Sequence, residues 1–250
     1  MINSPDQHQF KEQTTFQEIL EKNNINYLHG SNSGSLPGIF LLKQPGLKPL
    51  GELLKNKITP YSGELMHGAI DINQHSISCV PSNSPEEALR YSSDCTFWTP
   101  KKGKEKIKFL TQYLFAVRKG REEEKKFREK ERFGTTLSYN QLLRLLPMQL
   151  KIEKRRLKDW DKHTPVEQEF ISSPFPVLYG ISYDGHSVPV NSGISTEVAL
   201  PGIVPTDQLT LFVPKDKISA VNDYIASKNL KVRDILDIAM YNKSNRQFNF

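Results

Sequence analysis

Three short stretches hold the residue types from which a catalytic site could be made. His29-Gly30-Ser31 follows the apolar run Ile25-Asn26-Tyr27-Leu28, so an imidazole and a glycine backbone stand where a strand gives out. Ser76 and Ser78 alternate with Ile77 and Cys79, a spacing that puts both hydroxyls on one strand face, and Tyr91 follows on the next helix. Glu197 comes late, in Ser195-Thr196-Glu197-Val198-Ala199-Leu200-Pro201-Gly202. An imidazole, hydroxyls and one carboxylate suit the binding of a polar small molecule and the stabilisation of positive charge developing in it. Each also has an ordinary reading: Gly, Ser and Asn form turns, a helical tyrosine packs, and a strand glutamate faces water.

Other chemistries lack their motifs. The chain has no Gly-rich phosphate loop of Walker or Rossmann type and no G-x-S-x-G elbow. His67, Asp71 and His75 recur every four residues, but the stretch around Gly68 and Asn73 makes a poor helix, so no metal is expected there. Cys79 and Cys95 have no metal-type spacing and cannot form a disulfide framework, which points to reduced thiols in the cytoplasm.

The elements that must position these residues follow from caps and periodicity. Thr15-Phe16-Gln17-Glu18 opens a helix, residues 25–28 form a strand, and Ser35–Leu42 reads as a short helix with Gly46 beyond it. Residues 48–74 are loop-rich, 75–80 alternate as a strand, and Ser84-Pro85-Glu86-Glu87 opens the helix of Tyr91. The block 98–172 reads as all-helical. It contains Leu110, Tyr113, Leu114 and Val117 at helical spacing, a charged helix over Arg121–Arg132 with Phe127, and caps at Ser138 and Thr164. Pro147 is expected to break or restart its second long helix. Strands return at 175–183, 195–202 and 209–213, and two helices close the chain, one from Pro214 and one through Ile235, Leu236 and Ile238. That order predicts an α+β fold in three parts: 1–97 and 173–250 forming a core, with 98–172 inserted.

The 250 residues suffice for a sizeable core, and a mean hydropathy of −0.53 suits a soluble protein. No apolar run reaches membrane-spanning length, and the polar start MINSPDQHQFKEQ argues against a cleaved signal peptide. The net charge of +6 is unevenly placed, because residues 101–158 hold 19 Lys and Arg against 7 Asp and Glu. A basic surface there would meet an acidic protein or, less readily, a nucleic acid.

Taken together, the motifs resemble the ADP-ribosyltransferase superfamily, in its histidine-type branch with the poly-ADP-ribose polymerases and diphtheria toxin. Leu28-His29-Gly30-Ser31, then Gly38-Ile39 and Gly46-Leu47 with Pro49, is similar to that family's opening strand and helix. Ile77–Val80 followed by Ala88, Tyr91 and Ser92-Ser93 resembles its second motif, and Ser195–Val198 resembles the late strand bearing its catalytic glutamate. The resemblance implies a split antiparallel β-sheet core, with the basic helical block as an insertion, and NAD as substrate. His29 would bind the nicotinamide-side ribose and act with Glu197 in catalysis. The Gly30 backbone would pair with the carboxamide, a side chain there obstructing the ring; Ser31 would support the adenosine side; Tyr91 would stack on nicotinamide. Glu197 would hold the ribose 2′-hydroxyl.

Two departures accompany it. Ser76 and Ser78 stand where the family's middle strand has a tyrosine, leaving the sandwich to another residue such as Tyr61, or a serine acting as in the arginine-serine-glutamate branch. Ser195 replaces the acid that arginine-directed transferases carry two residues before the glutamate. The implied function is mono-ADP-ribosyl transfer from NAD to a macromolecule, probing an acidic protein through the basic helices. A cytoplasmic toxin or effector, exported without a cleaved signal, would fit. The alternatives are a non-catalytic module on a degraded transferase fold, or a nucleic-acid-binding protein.

Overall fold

The computed structural model describes residues 16–41, 45–61, 76–93, 97–120, 138–189 and 197–239. Its strands are β1 (Tyr27–Asn32), β2 (Gly46–Leu47), β3 (Ser76–Pro81), β4 (Pro176–Ile181), β5 (Val188–Pro189), β6 (Val198–Pro201), β7 (Val204–Pro205), β8 (Leu209–Val213) and β9 (Asp234–Asp237). Its helices are α1 (Phe16–Lys22), α2 (Leu36–Ile39), α3 (Leu50–Lys55), α4 (Pro85–Ser93), α5 (Pro100–Lys119), α6 (Tyr139–Asp159), α7 (Pro165–Ser172) and α8 (Ile218–Ser227). The fold is α+β. Seven strands form one sheet in the order β5-β6-β3-β1-β4-β8-β9, antiparallel except for the parallel β8–β9 pair.

The apolar runs Val177-Leu178-Tyr179 and Leu209-Thr210-Leu211-Phe212-Val213 do not alternate because both faces of β4 and β8 are covered. On one face Val177, Tyr179, Ile181, Leu211 and Val213 pack with Ile77, Cys79, Phe170 of α7 and Val221, Tyr224 and Ile225 of α8. On the other, Leu28, Val80, Leu178 and Phe212 meet Phe16, Ile19 and Leu20 of α1 and Ala88 of α4. Phe170 thus ties α7 to the sheet core, although it falls within the block expected to be an insertion.

Helices α5 and α6 form an antiparallel hairpin with its own core of Leu110, Tyr113, Leu114, Val117, Leu142, Leu145 and Leu146. Both expected caps on the block form as capping boxes, Ser138 with Gln141 and Thr164 with Glu167. Pro147 does not break α6, contrary to the expectation. It costs one backbone hydrogen bond, and the flanking Leu145 and Leu146 buried against α5 offset it. The hairpin is joined to the rest through Trp98, Tyr61 and Ile171. There the Trp98 indole and the Arg156 guanidinium each donate to the buried Glu153 carboxylate at 2.8 Å, and Arg156 also donates to the Pro60 carbonyl at 2.6 Å.

Three further expectations are corrected. Residues 235–238 were expected to be helical, but 234–237 form β9, which hydrogen-bonds in parallel along β8. The open edge of β8 supplies backbone partners along the whole segment, which favours the extended form. Within the loop-rich 48–74, residues 50–55 form α3. The strand of residues 25–28 does not end at His29, because β1 runs through His29-Gly30-Ser31 to Asn32. His67, Asp71 and His75, Cys95, Ser195 and the helix expected over 121–132 lie outside the described residues. Lys48 is buried beside β2, its ammonium donating to the Gly46 carbonyl at 3.0 Å, and burial brings its pKa down to about 8.

Candidate active site

The sheet parts at His29. Pairing of β1 with β4 continues from Tyr27 to Asn32, whereas pairing of β1 with β3 stops at Leu28 opposite Val80. Ser33 N–H donates to Phe175 O at 2.9 Å. By the two-residue period of an antiparallel ladder, the main chains of Ser31 and His29 therefore face β4, and those of Leu28 and Gly30 face β3. The residue that would meet Gly30 is Ser78, but its carbonyl is taken by the His29 imidazole, with Nδ1 at 2.7 Å. The Gly30 N–H and C=O are thus left at the mouth of the split without a strand partner among the described residues.

The Ser78 carbonyl can only accept, so Nδ1 carries the proton and Nε2 presents a lone pair. Burial holds the His29 pKa below its ordinary value, only partly countered by that hydrogen bond, which keeps the ring neutral at pH 7. Beneath the ring is Tyr179, paired opposite His29 in the ladder, with ring centroids 6.0 Å apart. The Ser35 hydroxyl donates to the Asn32 carbonyl at 2.7 Å, so Tyr179 OH is the donor in its own contact with Ser35. This support was not visible from sequence, since no local pattern gives the register that sets Tyr179 beneath His29.

Ser78 also links the histidine to the carboxylate. Its hydroxyl donates to Glu197 Oε2 at 3.3 Å, and Tyr91 OH donates to Glu197 Oε1 at 3.0 Å. His29, Ser78, Glu197 and Tyr91 therefore form one hydrogen-bonded chain across β1, β3, α4 and the residue preceding β6. Burial and the neighbouring carboxylate raise the Tyr91 pKa, so its hydroxyl stays a donor at neutral pH. Its ring is 44% exposed, with the Arg90 guanidinium 5.4 Å from the centroid. Cys79, next to Ser78, is buried, and its thiol is pushed well up by desolvation and then by Glu197, so it is no nucleophile.

The other sequence candidates lie differently. Gly30 is adjacent to the chain, but the space at its Cα is filled by α4: a Cβ would stand 1.7 Å from the Ala88 carbonyl oxygen and 2.8 Å from Ser92 N. Helix packing by itself requires glycine there, a reason separate from the ligand ring expected from sequence. Ser31 is half-buried and faces β4 through its main chain. Ser76 lies opposite Pro201, on the same strand face as Ser78 and further from Glu197. Tyr61 belongs to the Trp98 cluster, 4% exposed, its hydroxyl donating to the Arg156 carbonyl, and is not part of this site. A separate surface hollow of about 550 Å³, lined by Asn24, Asn26, Ser182, Gln208 and Arg233 among others, shares none of these residues.

No family model, curated protein or solved structure matches the chain. Among the described residues, no cluster of three or more potential metal ligands occurs, and no helix is long and apolar enough to cross a membrane.

Proposed function

We propose that the chain is an NAD-dependent mono-ADP-ribosyltransferase with a split-sheet transferase core. The observation that supports this best is the hydrogen-bonded chain His29–Ser78–Glu197–Tyr91 at the point where β1 and β3 part. The His29 Nε2 lone pair would accept from a ribose hydroxyl. The open Gly30 N–H and C=O offer the donor–acceptor pair that a carboxamide needs, and the half-exposed Tyr91 ring offers a surface for nicotinamide.

In the reaction, the bond between ribose C1′ and the nicotinamide nitrogen breaks, and nicotinamide leaves with the electron pair. Positive charge grows on the ribose, and a nucleophile of the acceptor forms the new bond to C1′ and loses its proton. Glu197, held by Ser78 and Tyr91 before substrate arrives, would take the 2′-hydroxyl and oppose that charge. A preorganised group of this kind contributes more than one that must reorient.

The test is nicotinamide release from NAD by the wild type and by Glu197→Gln. The expected loss is about a hundredfold or more, the scale for removing one preorganised electrostatic contact, and equal rates would refute the role of Glu197. A non-catalytic module is the second reading, favoured by the occupation of both Glu197 oxygens. It predicts no rise in melting temperature at millimolar NAD, where a ligand bound by the native state must raise it.

A further inference from the structure

The side of α5 turned away from α6 carries cations in a regular row. Lys101, Lys104, Lys108, Phe115 and Lys119 are all exposed and step by three, four or seven residues along α5, which keeps them on one side of the helix. From first to last the row spans about 27 Å. On α6 the exposed Lys151, Lys154 and Lys158 lie on the side turned away from α5, so they form a separate patch. Glu105 is also exposed on α5, between Lys101 and Lys108, and offsets one charge, so the row stays net positive but not uninterrupted.

Aromatic rings are interleaved with the cations. Phe115 is 60% exposed and Phe97, just before α5, is 44% exposed, whereas Tyr113 is turned into the hairpin core. An ammonium lies over each exposed ring, Lys119 at 4.6 Å and Lys102 at 3.1 Å from the centroids. A polyanion that drew these lysines onto its own charges would uncover two phenyl faces. Carboxylate side chains do not stack on such faces, and nucleobases do. A lipid surface would need an apolar stripe, but that of α5 is already spent against α6.

We infer that the exposed face of α5 binds single-stranded nucleic acid, with its phosphates on the lysine row and unpaired bases on Phe97 and Phe115. Duplex bases are stacked on one another, so this platform selects single strands. The inference departs from the acidic protein expected from charge alone. It also stands apart from the transferase reading, because binding is measured without NAD.

The experiment is fluorescence anisotropy of a labelled mixed-sequence single-stranded RNA or DNA of about 20 nucleotides, with the full chain, across a salt series. With about five phosphates neutralised, affinity should fall about a hundredfold between 50 and 200 mM salt. Joint Lys101→Gln, Lys104→Gln and Lys108→Gln should flatten the log–log salt slope by about 2. Phe115→Ala should weaken binding about tenfold at unchanged slope, because it removes a stacking face and no charge. All four positions are exposed, and circular dichroism melting checks that each variant is folded. Absence of binding at 50 mM salt overturns the inference. So does polyglutamate of equal length binding as tightly as the oligonucleotide, or a Phe115→Ala protein that binds like the wild type; both outcomes favour an acidic protein partner.

Discussion

Gly30→Ala separates two accounts of the same glycine. If Gly30 leaves space for a ligand ring, adding a methyl group costs binding and leaves the free protein as stable as before. The structure places α4 in that space: the new Cβ would lie 1.7 Å from the Ala88 carbonyl oxygen. An ordinary carbon–oxygen contact needs about 3.3 Å, so α4 must retreat by roughly 1.6 Å. Neither the carbonyl nor strand β1, paired to β4 along its whole length, can rotate aside. Overpacking of this type costs about 3 kcal/mol, at the upper end of its usual range. For a protein of this size that lowers Tm by about 6–12 °C. Because Tyr91 rides on α4, the same retreat would stretch its 3.0 Å bond to Glu197 beyond hydrogen-bonding range. Differential scanning calorimetry of the apo protein, with nicotinamide release measured in parallel, tests both effects. A Gly30→Ala protein that melts within about 2 °C of the wild type would refute the packing argument. Loss of NAD turnover at that unchanged stability would return the glycine to the ligand.

Two further outcomes follow from buried titratable groups. The Lys48 pKa, lowered by burial to about 8 from its ordinary 10.5, means that the folded state holds this proton more weakly than the unfolded chain. Lys48→Met should therefore stabilise the protein at pH 7 by about 2 kcal/mol in urea unfolding, less than the roughly 3 kcal/mol of the full shift because the Gly46 carbonyl loses its donor. The advantage should shrink as pH rises from 8 to 10.5, and a destabilised Lys48→Met would contradict it. His29, whose pKa is also lowered, contributes no penalty while both states are neutral. Below about pH 6.5 the unfolded chain takes up a proton that the native ring resists, so stability should fall with acidification. Replacing His29 with Gln should flatten the dependence of Tm between pH 7 and 5, and an unchanged slope would place the titration elsewhere.

The features legible in sequence are those governed by neighbours along the chain. Ser138 with Gln141 and Thr164 with Glu167 announce their helices because a capping box lies within four residues. Leu110, Tyr113, Leu114 and Val117 declare a buried helix face by spacing alone. Pairing between distant segments is not encoded that way. Residues 235–238 look helical until β8 is known to lie beside β9. Continuation of β1 past His29 depends on β4, far along the chain, while its break from β3 depends on an imidazole replacing an amide. His29, Ser78, Tyr91 and Glu197 could be proposed by residue type, and their linkage rests on that register. For Gly30 the packing of α4 supplies a second reason that no local pattern shows.

The links of the His29–Ser78–Glu197–Tyr91 chain join residues 49, 119 and 106 positions apart. No fragment that stops short of Glu197 contains all four, and closing such long loops makes these contacts slow to form. Helices α5 and α6, held together by local contacts, can reach native helicity long before the site exists. Helical signal and any chemistry at Glu197 should therefore recover on different clocks after dilution from denaturant. A nascent chain emerging from the ribosome would lack the complete His29–Ser78–Glu197–Tyr91 chain until most of its length has been made.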